Sequence, residues 1–147
     1  MLEVIVPISV EKLGDNVFNG CTSLRKIILM NENLISGSYC FTGCMNLKTM
    51  GPLGGGYDIE YAWKERIPNN IFEAATTSAS ALESVVLVDT IKSIGGSAFA
   101  RTAIININLP VGLKEIGTAA FFDCTRLTNL EIPATVEYIG TNAFYRC

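Results

Sequence analysis

The chain has 147 residues, 49% of them hydrophobic and 17% charged, with a net charge of −3. That apolar share supplies a core and argues against disorder, while the lack of clustered Lys and Arg argues against a nucleic-acid interface. No apolar run reaches the roughly 18 residues of a membrane-spanning helix, and the opening MLEVIVPISVEKLG lacks the basic start and cleavage site of a signal peptide.

Taken in order, the chain repeats itself. Equivalent phenylalanines fall at Phe18, Phe41, Phe72, Phe99, Phe121 and Phe144, at spacings of 23, 31, 27, 22 and 23 residues. A fixed period of this size is the signature of a solenoid. The first copy, from Pro7, carries Val10, Leu13, Val17, Phe18, Leu24, Ile27 and Leu29 as apolar markers. The second, from Met30, has Ser36 where the others have Leu or Ile before a glycine, and holds register through Phe41, Cys44, Leu47 and Met50. An insertion, GPLGGGYDIEYAWKER, occupies residues 51–66 in place of a short connection. The third copy resumes at Ile67-Pro68 and is stretched in the run EAATTSASA before Leu82, Val85 and Leu87 close it. In the fourth, Arg101-Thr102 stands where others have Cys-Thr. The fifth and sixth, from Leu109 to Cys147, are the most regular. Residues 1–147 thus read as one solenoid domain of about six rungs of 22–23 residues, a piece of a longer array.

Each part of the repeat has a local shape. Leu24, Ile27 and Leu29 end in period-two alternation, which predicts a short strand with one buried face, and the following Pro ends it. V-x-x-I-G predicts a second, very short extended piece closed by a turning glycine. G-x-x-A-F-x-x-C suits a single helical turn that drops Phe inward. Stacked copies then give a parallel sheet on one wall and a ladder of Phe, Leu and Ile within.

The pattern IP-x-x-V-x-x-IG-x-x-AF-x-x-C, as in Ile132–Cys147, resembles the BspA-like leucine-rich repeat. The resemblance implies a leucine-rich-repeat solenoid from a cell-surface or secreted protein, associated with adhesion to host proteins and other cells. It implies scaffold positions only and transfers no catalytic residue.

The chain has no histidine, the commonest general base and metal ligand, which excludes Ser–His–Asp and Cys–His catalysis. Asp15, Glu115, Asp123, Glu131 and Glu137 are scattered and read as solvated surface. Cys21, Cys44, Cys124 and Cys147 share one repeat position and Cys40 is extra; they read as small buried fillers, with a stacked Cys21–Cys44 or Cys124–Cys147 disulfide as the alternative. Zinc finds no C-x-x-C pair, and no metal or cofactor is expected. Gly54–Gly56 lacks the G-K-[ST] of a phosphate loop and reads as a flexible connection. The same insertion carries Tyr57, Tyr61, Trp63, Lys64 and Arg66, residue types that either pack or form binding hot spots. Outward positions on the long strands include Lys26, Ile28, Ser84, Val86, Asn106, Asn108, Asn129 and Glu131; Lys12, Ser93, Glu115 and Tyr138 play that part on the short ones. This ladder suits contact with a protein or glycan and equally suits plain solubility; the resemblance implies a partner on another cell or matrix. The expected function is a non-enzymatic binding module acting in adhesion through that face and the insertion. The alternative is a structural spacer whose repeats associate end to end, since neither end shows a polar cap.

Overall fold

A computed structural model describes residues 2–147, and the regular structure among them is twelve short strands with no helix. These are β1 (Leu2–Val6), β2 (Lys12–Leu13), β3 (Leu24–Leu29), β4 (Ile35–Ser36), β5 (Thr49–Pro52), β6 (Ile59–Tyr61), β7 (Arg66–Ile67), β8 (Ser84–Val85), β9 (Ser93–Ile94), β10 (Asn106–Ile107), β11 (Glu115–Ile116) and β12 (Tyr138–Ile139). All pairings are parallel. The solenoid expectation holds, but strands line two walls instead of one. The first wall is a six-stranded sheet in the order β1-β3-β6-β5-β8-β10; the second is split into β2-β4 and β7-β9-β11-β12.

The alternation in β3 buries Leu24, Ile27 and Leu29 completely, and their rung equivalents stack on them. The phenylalanines stack between the walls with ring centroids 5.4–5.9 Å apart from Phe18 to Phe144. Offset ring stacking adds to the gain from burial along the whole ladder. Val17 departs from its column: it is 46% exposed, while Cys40, Ile71, Ala98, Ala120 and Ala143 are buried.

The segment around each Phe is a pair of tight turns where the sequence predicted a helical turn. Two residues before the ring the backbone is left-handed in every rung, at Asn16, Tyr39, Asn70, Ser97, Ala119 and Asn142 (φ 52–59°). Two residues after it, the same holds for Gly20, Gly43, Arg101, Asp123 and Arg146. Tyr, Ser and Ala disfavour this region, yet it turns alternate N–H groups outward to the next rung. Ser97, Phe99 and Arg101 donate to the carbonyls of Thr118, Ala120 and Phe122, and Ala119, Phe121 and Asp123 repeat the pattern one rung on. Inter-rung bonding overrides local preference.

The glycines after β4, β9, β11 and β12 serve close approach, where the sequence predicted a turn; Gly14, after β2, has open space around it. A Cβ at Gly117 would lie 2.6 Å from the Gly96 nitrogen, and one at Gly140 2.4 Å from that of Thr118. Each of these glycines also donates its N–H to the preceding rung, Gly117 to Ile94 and Gly140 to Ile116.

Candidate functional site

The insertion that interrupts the repeat is tied down by hydrogen bonds, Gly54–Gly56 included, where the sequence reads as a flexible connection. After β5 the chain returns within six residues and lays β6 parallel to it, Met50 opposite Ile59 and Pro52 opposite Tyr61. Parallel neighbours usually need a crossover of about a dozen residues, so this return is held by specific contacts. The Glu60 carboxylate accepts the N–H groups of Gly54 (2.9 Å) and Gly56 (3.0 Å) and pairs with Lys26 on β3 at 2.8 Å. The Tyr57 ring lies on Gly51 and Gly55, where any Cβ would collide with it. Asp58 accepts the N–H groups of Lys48 and Thr49 and closes the start of the strand.

Tyr61 and Trp63 are core residues, each 1% exposed, so two of the candidate contact residues form no part of the surface. Their rings stack at 5.0 Å, and Trp63 reaches Phe72 at 6.3 Å. The Tyr61 hydroxyl donates to Val86 C=O and accepts from Val88 N–H, and burial pushes its pKa up to about 12. Together they fill the interior of a half-rung that has a strand on one wall only.

That half-rung sets the geometry of the opposite wall. On the first wall, three strand spacings separate the first rung from the third, because β6 intervenes between β3 and β5. On the second wall β2 and β4 are adjacent, so β4 and β7 must stand about two spacings apart, on the order of 10 Å. The pairing is indeed missing there, and a groove of about 450 Å³ takes its place. It is lined by Glu32, Asn33, Leu34, Ile35 and Ser36 on one side and Arg66, Pro68, Asn69 and Asn70 on the other. One end is drawn together by Ala62 N–H bonding Leu29 C=O and by the Lys64–Glu32 ion pair at 2.8 Å. At the other, the Phe41 and Phe72 rings meet at 5.4 Å and Ala75 N–H reaches the Thr42 hydroxyl.

Two residues mark this slot in the sequence. Pro68 occupies the column of Gly37, Gly95, Gly117 and Gly140, where it has no N–H to give to Ser36. Ser36 stands in the Ile column and turns its hydroxyl inward, to Gly37 C=O at 2.9 Å and Cys40 at 3.3 Å. The ladder of Phe-turn bonds that joins every other rung pair is also absent between the second and third among the described residues. In its place Gly43 N–H bonds Ala79 C=O, from the stretched run.

The remaining candidates fall in four places. Asn108, Asn129 and Glu131 come together in a shallow groove of about 480 Å³ beside β10, with Asn106 on the strand itself. Arg66 lines the slot and bonds Asn69 at 2.9 Å. Tyr138 is 54% exposed on the second wall, and Tyr57 is half-buried under its loop. The nine candidates therefore do not form one site.

All five cysteines are free. Cys44, Cys124 and Cys147 each donate to a phenylalanine carbonyl of the rung before, at 3.0–3.1 Å, and desolvation pushes the thiols of Cys44 and Cys124 up to about 11. Thr102, not Arg101, fills the cysteine position of the fourth rung and donates to Phe99 C=O at 2.8 Å. Among the described residues no cluster of three or more His, Cys, Asp or Glu could hold a metal, and no helix is long and apolar enough to cross a membrane.

A family model described as BspA type leucine rich repeat region matches in six copies, over residues 1–52 and 64–147. Residues 53–63, which it omits, are the return loop, β6 and Trp63. No curated protein matches the chain. Among solved structures, a leucine-rich repeat protein from Bacteroides ovatus is 33% identical with a TM-score of 0.71, covering 99% of this chain and 34% of that one. A leucine-rich repeat protein from Eubacterium ventriosum is 23% identical (TM-score 0.66; 98% and 42% covered). A leucine rich cell surface protein from Faecalibacterium prausnitzii is 22% identical (TM-score 0.55; 99% and 45% covered). The chain spans less than half the length of each.

Proposed function

The chain belongs to the BspA type leucine rich repeat family, and from that premise we propose that it is a non-enzymatic binding module of a cell-surface or secreted protein, contacting a protein or glycan on another cell or matrix. The observation that carries this reading is the uncommitted polar surface beside β10. Asn108, Asn129 and Glu131 line one groove there, next to the exposed outward side chains of Asn106 and Ser84. An extended polar face with apolar spots such as Val86 (42% exposed) leaves donors and acceptors free for a partner. Catalysis has no support from the chain, which lacks histidine and spends its repeat positions on the core.

The test is capture of extracellular matrix proteins and glycan-array screening with the intact chain. A saturable partner lost on replacing Asn108, Asn129 and Glu131 together by Lys supports the reading. Absence of any saturable partner favours the structural-spacer alternative.

A further inference from the structure

The slot on the second wall is one strand wide, and both of its sides are strand edges. In a parallel ladder successive residues turn their backbone groups to opposite neighbours. Ile35 and Gly37 give their N–H groups to Glu11 and Leu13 of the first rung, so Ser36 N–H and C=O turn toward the slot. Across it, the carbonyls of Glu65 and Ile67 accept from Lys92, Ser93 and Gly95 of the fourth rung, so Arg66 N–H and C=O turn back toward Ser36. These four groups have no backbone partner among the described residues. Facing unpaired edges are a template for one more strand.

We propose that the slot takes an extended peptide segment of a partner protein, which joins β2-β4 to β7-β9-β11-β12 as one continuous sheet. The proposal rests on the binding-module reading and gives it a polypeptide partner. Main-chain hydrogen bonds to Ser36 and Arg66 supply the attraction, as in other strand-addition complexes. Of the lining residues, Leu34 (3% exposed) and Ser36 (8%) are already buried, so the segment presents small side chains inward, glycine, alanine or serine. Its outward side chains meet Glu32, Lys64, Glu65 and Arg66, which balance in sign and select no charged sequence. No aromatic side chain lines the slot, so a sugar ring finds nothing to stack on, whereas a peptide backbone finds donors and acceptors on both sides.

The experiment selects a random heptapeptide phage library on the intact chain and measures the selected synthetic peptides by titration. The expected peptides carry small residues at alternate positions, and N-methylation at the edge-facing amides weakens binding about tenfold or more per lost bond. Asn33→Trp, which fills the slot from an exposed position, abolishes binding, and Ser36→Ala, which keeps the backbone groups, does not. Circular dichroism and urea melts confirm that both variants fold. The proposal falls if no peptide is selected, if Asn33→Trp leaves binding intact, or if methylation has no alternating effect. If a protein or glycan partner is found whose binding is lost with the Asn108, Asn129 and Glu131 substitutions but kept in Asn33→Trp, the slot is overturned and the binding-module reading stands.

Discussion

Lys26 and Glu60 meet at 2.8 Å on adjacent strands separated by 34 positions in the chain, and the same carboxylate holds the loop that makes their adjacency happen. Lys26 foremost, then the Gly54 N–H, keeps the Glu60 carboxyl below the usual carboxylate range. A depressed folded-state value stabilises above the unfolded value of about 4.3 and ceases to do so as the pH falls through the folded one. Glu60→Gln should cost about 1–3 kcal/mol at neutral pH. Below about pH 4.3 its urea midpoint should fall less steeply than that of the native chain. Parallel curves for the two proteins would show that the contact contributes nothing.

Trp63 fills the interior of the half-rung, and its replacement leaves a large cavity there. Trp63→Ala should cost about 3–5 kcal/mol, as should Phe99→Ala or Phe121→Ala in the stacked column. Trp63 is the only tryptophan, so fluorescence reads this site alone. Native emission should be blue-shifted and shielded from acrylamide until global unfolding. A water-exposed spectrum in native conditions would contradict the burial of the insertion.

The turn columns predict opposite effects at neighbouring positions. Ala119 is held at φ 55°, a conformation that costs a residue with a Cβ roughly 1 kcal/mol or more. Ala119→Gly should therefore raise stability by about that amount. Gly117→Ala should lower it by about 1–3 kcal/mol, because the new Cβ meets the neighbouring backbone at 2.6 Å. Gly14→Ala has open space around it and should be nearly neutral. Equal losses at Gly14 and Gly117 in urea melts would remove the close-approach argument.

The thiols offer a check without substitutions. Native protein at pH 8 should alkylate the exposed Cys147 well ahead of Cys44 and Cys124, whose pKa values near 11 leave little thiolate. Denatured, unreduced protein should titrate all five. Fewer than five would reveal a bridge.

Much of the scaffold was legible because its causes are periodic. Phe99 and Phe121 recur with their surroundings, and stacking equal surroundings can only produce a ladder. The left-handed backbone at Ala119 was not legible, since alanine gives no local hint and the next rung's carbonyls impose the conformation. Tyr61 and Trp63, in an insertion, are residue types that suit either packing or binding, and only the intercalation of β6 explains their burial. The slot did leave a trace: Pro68 breaks a glycine column whose purpose is close contact with the rung before. Taken as a turn residue, that column concealed the meaning of the exception.

The missing turn ladder between the second and third rungs has a mechanical consequence. Elsewhere, neighbouring rungs are fastened by second-wall strand pairing and along the turns; here they hold by the β5–β8 pairing, the Phe41–Phe72 ring contact and bonds at Thr42 and Gly43. The Phe41 and Phe72 planes are tilted by 32°, where other ring pairs in the column lie within 3–17°. A protein tethered at both ends and pulled along its axis should yield at this junction first, parting into a two-rung and a four-rung piece. In an array held at both ends under load, such a weak link would give before the regular rungs do.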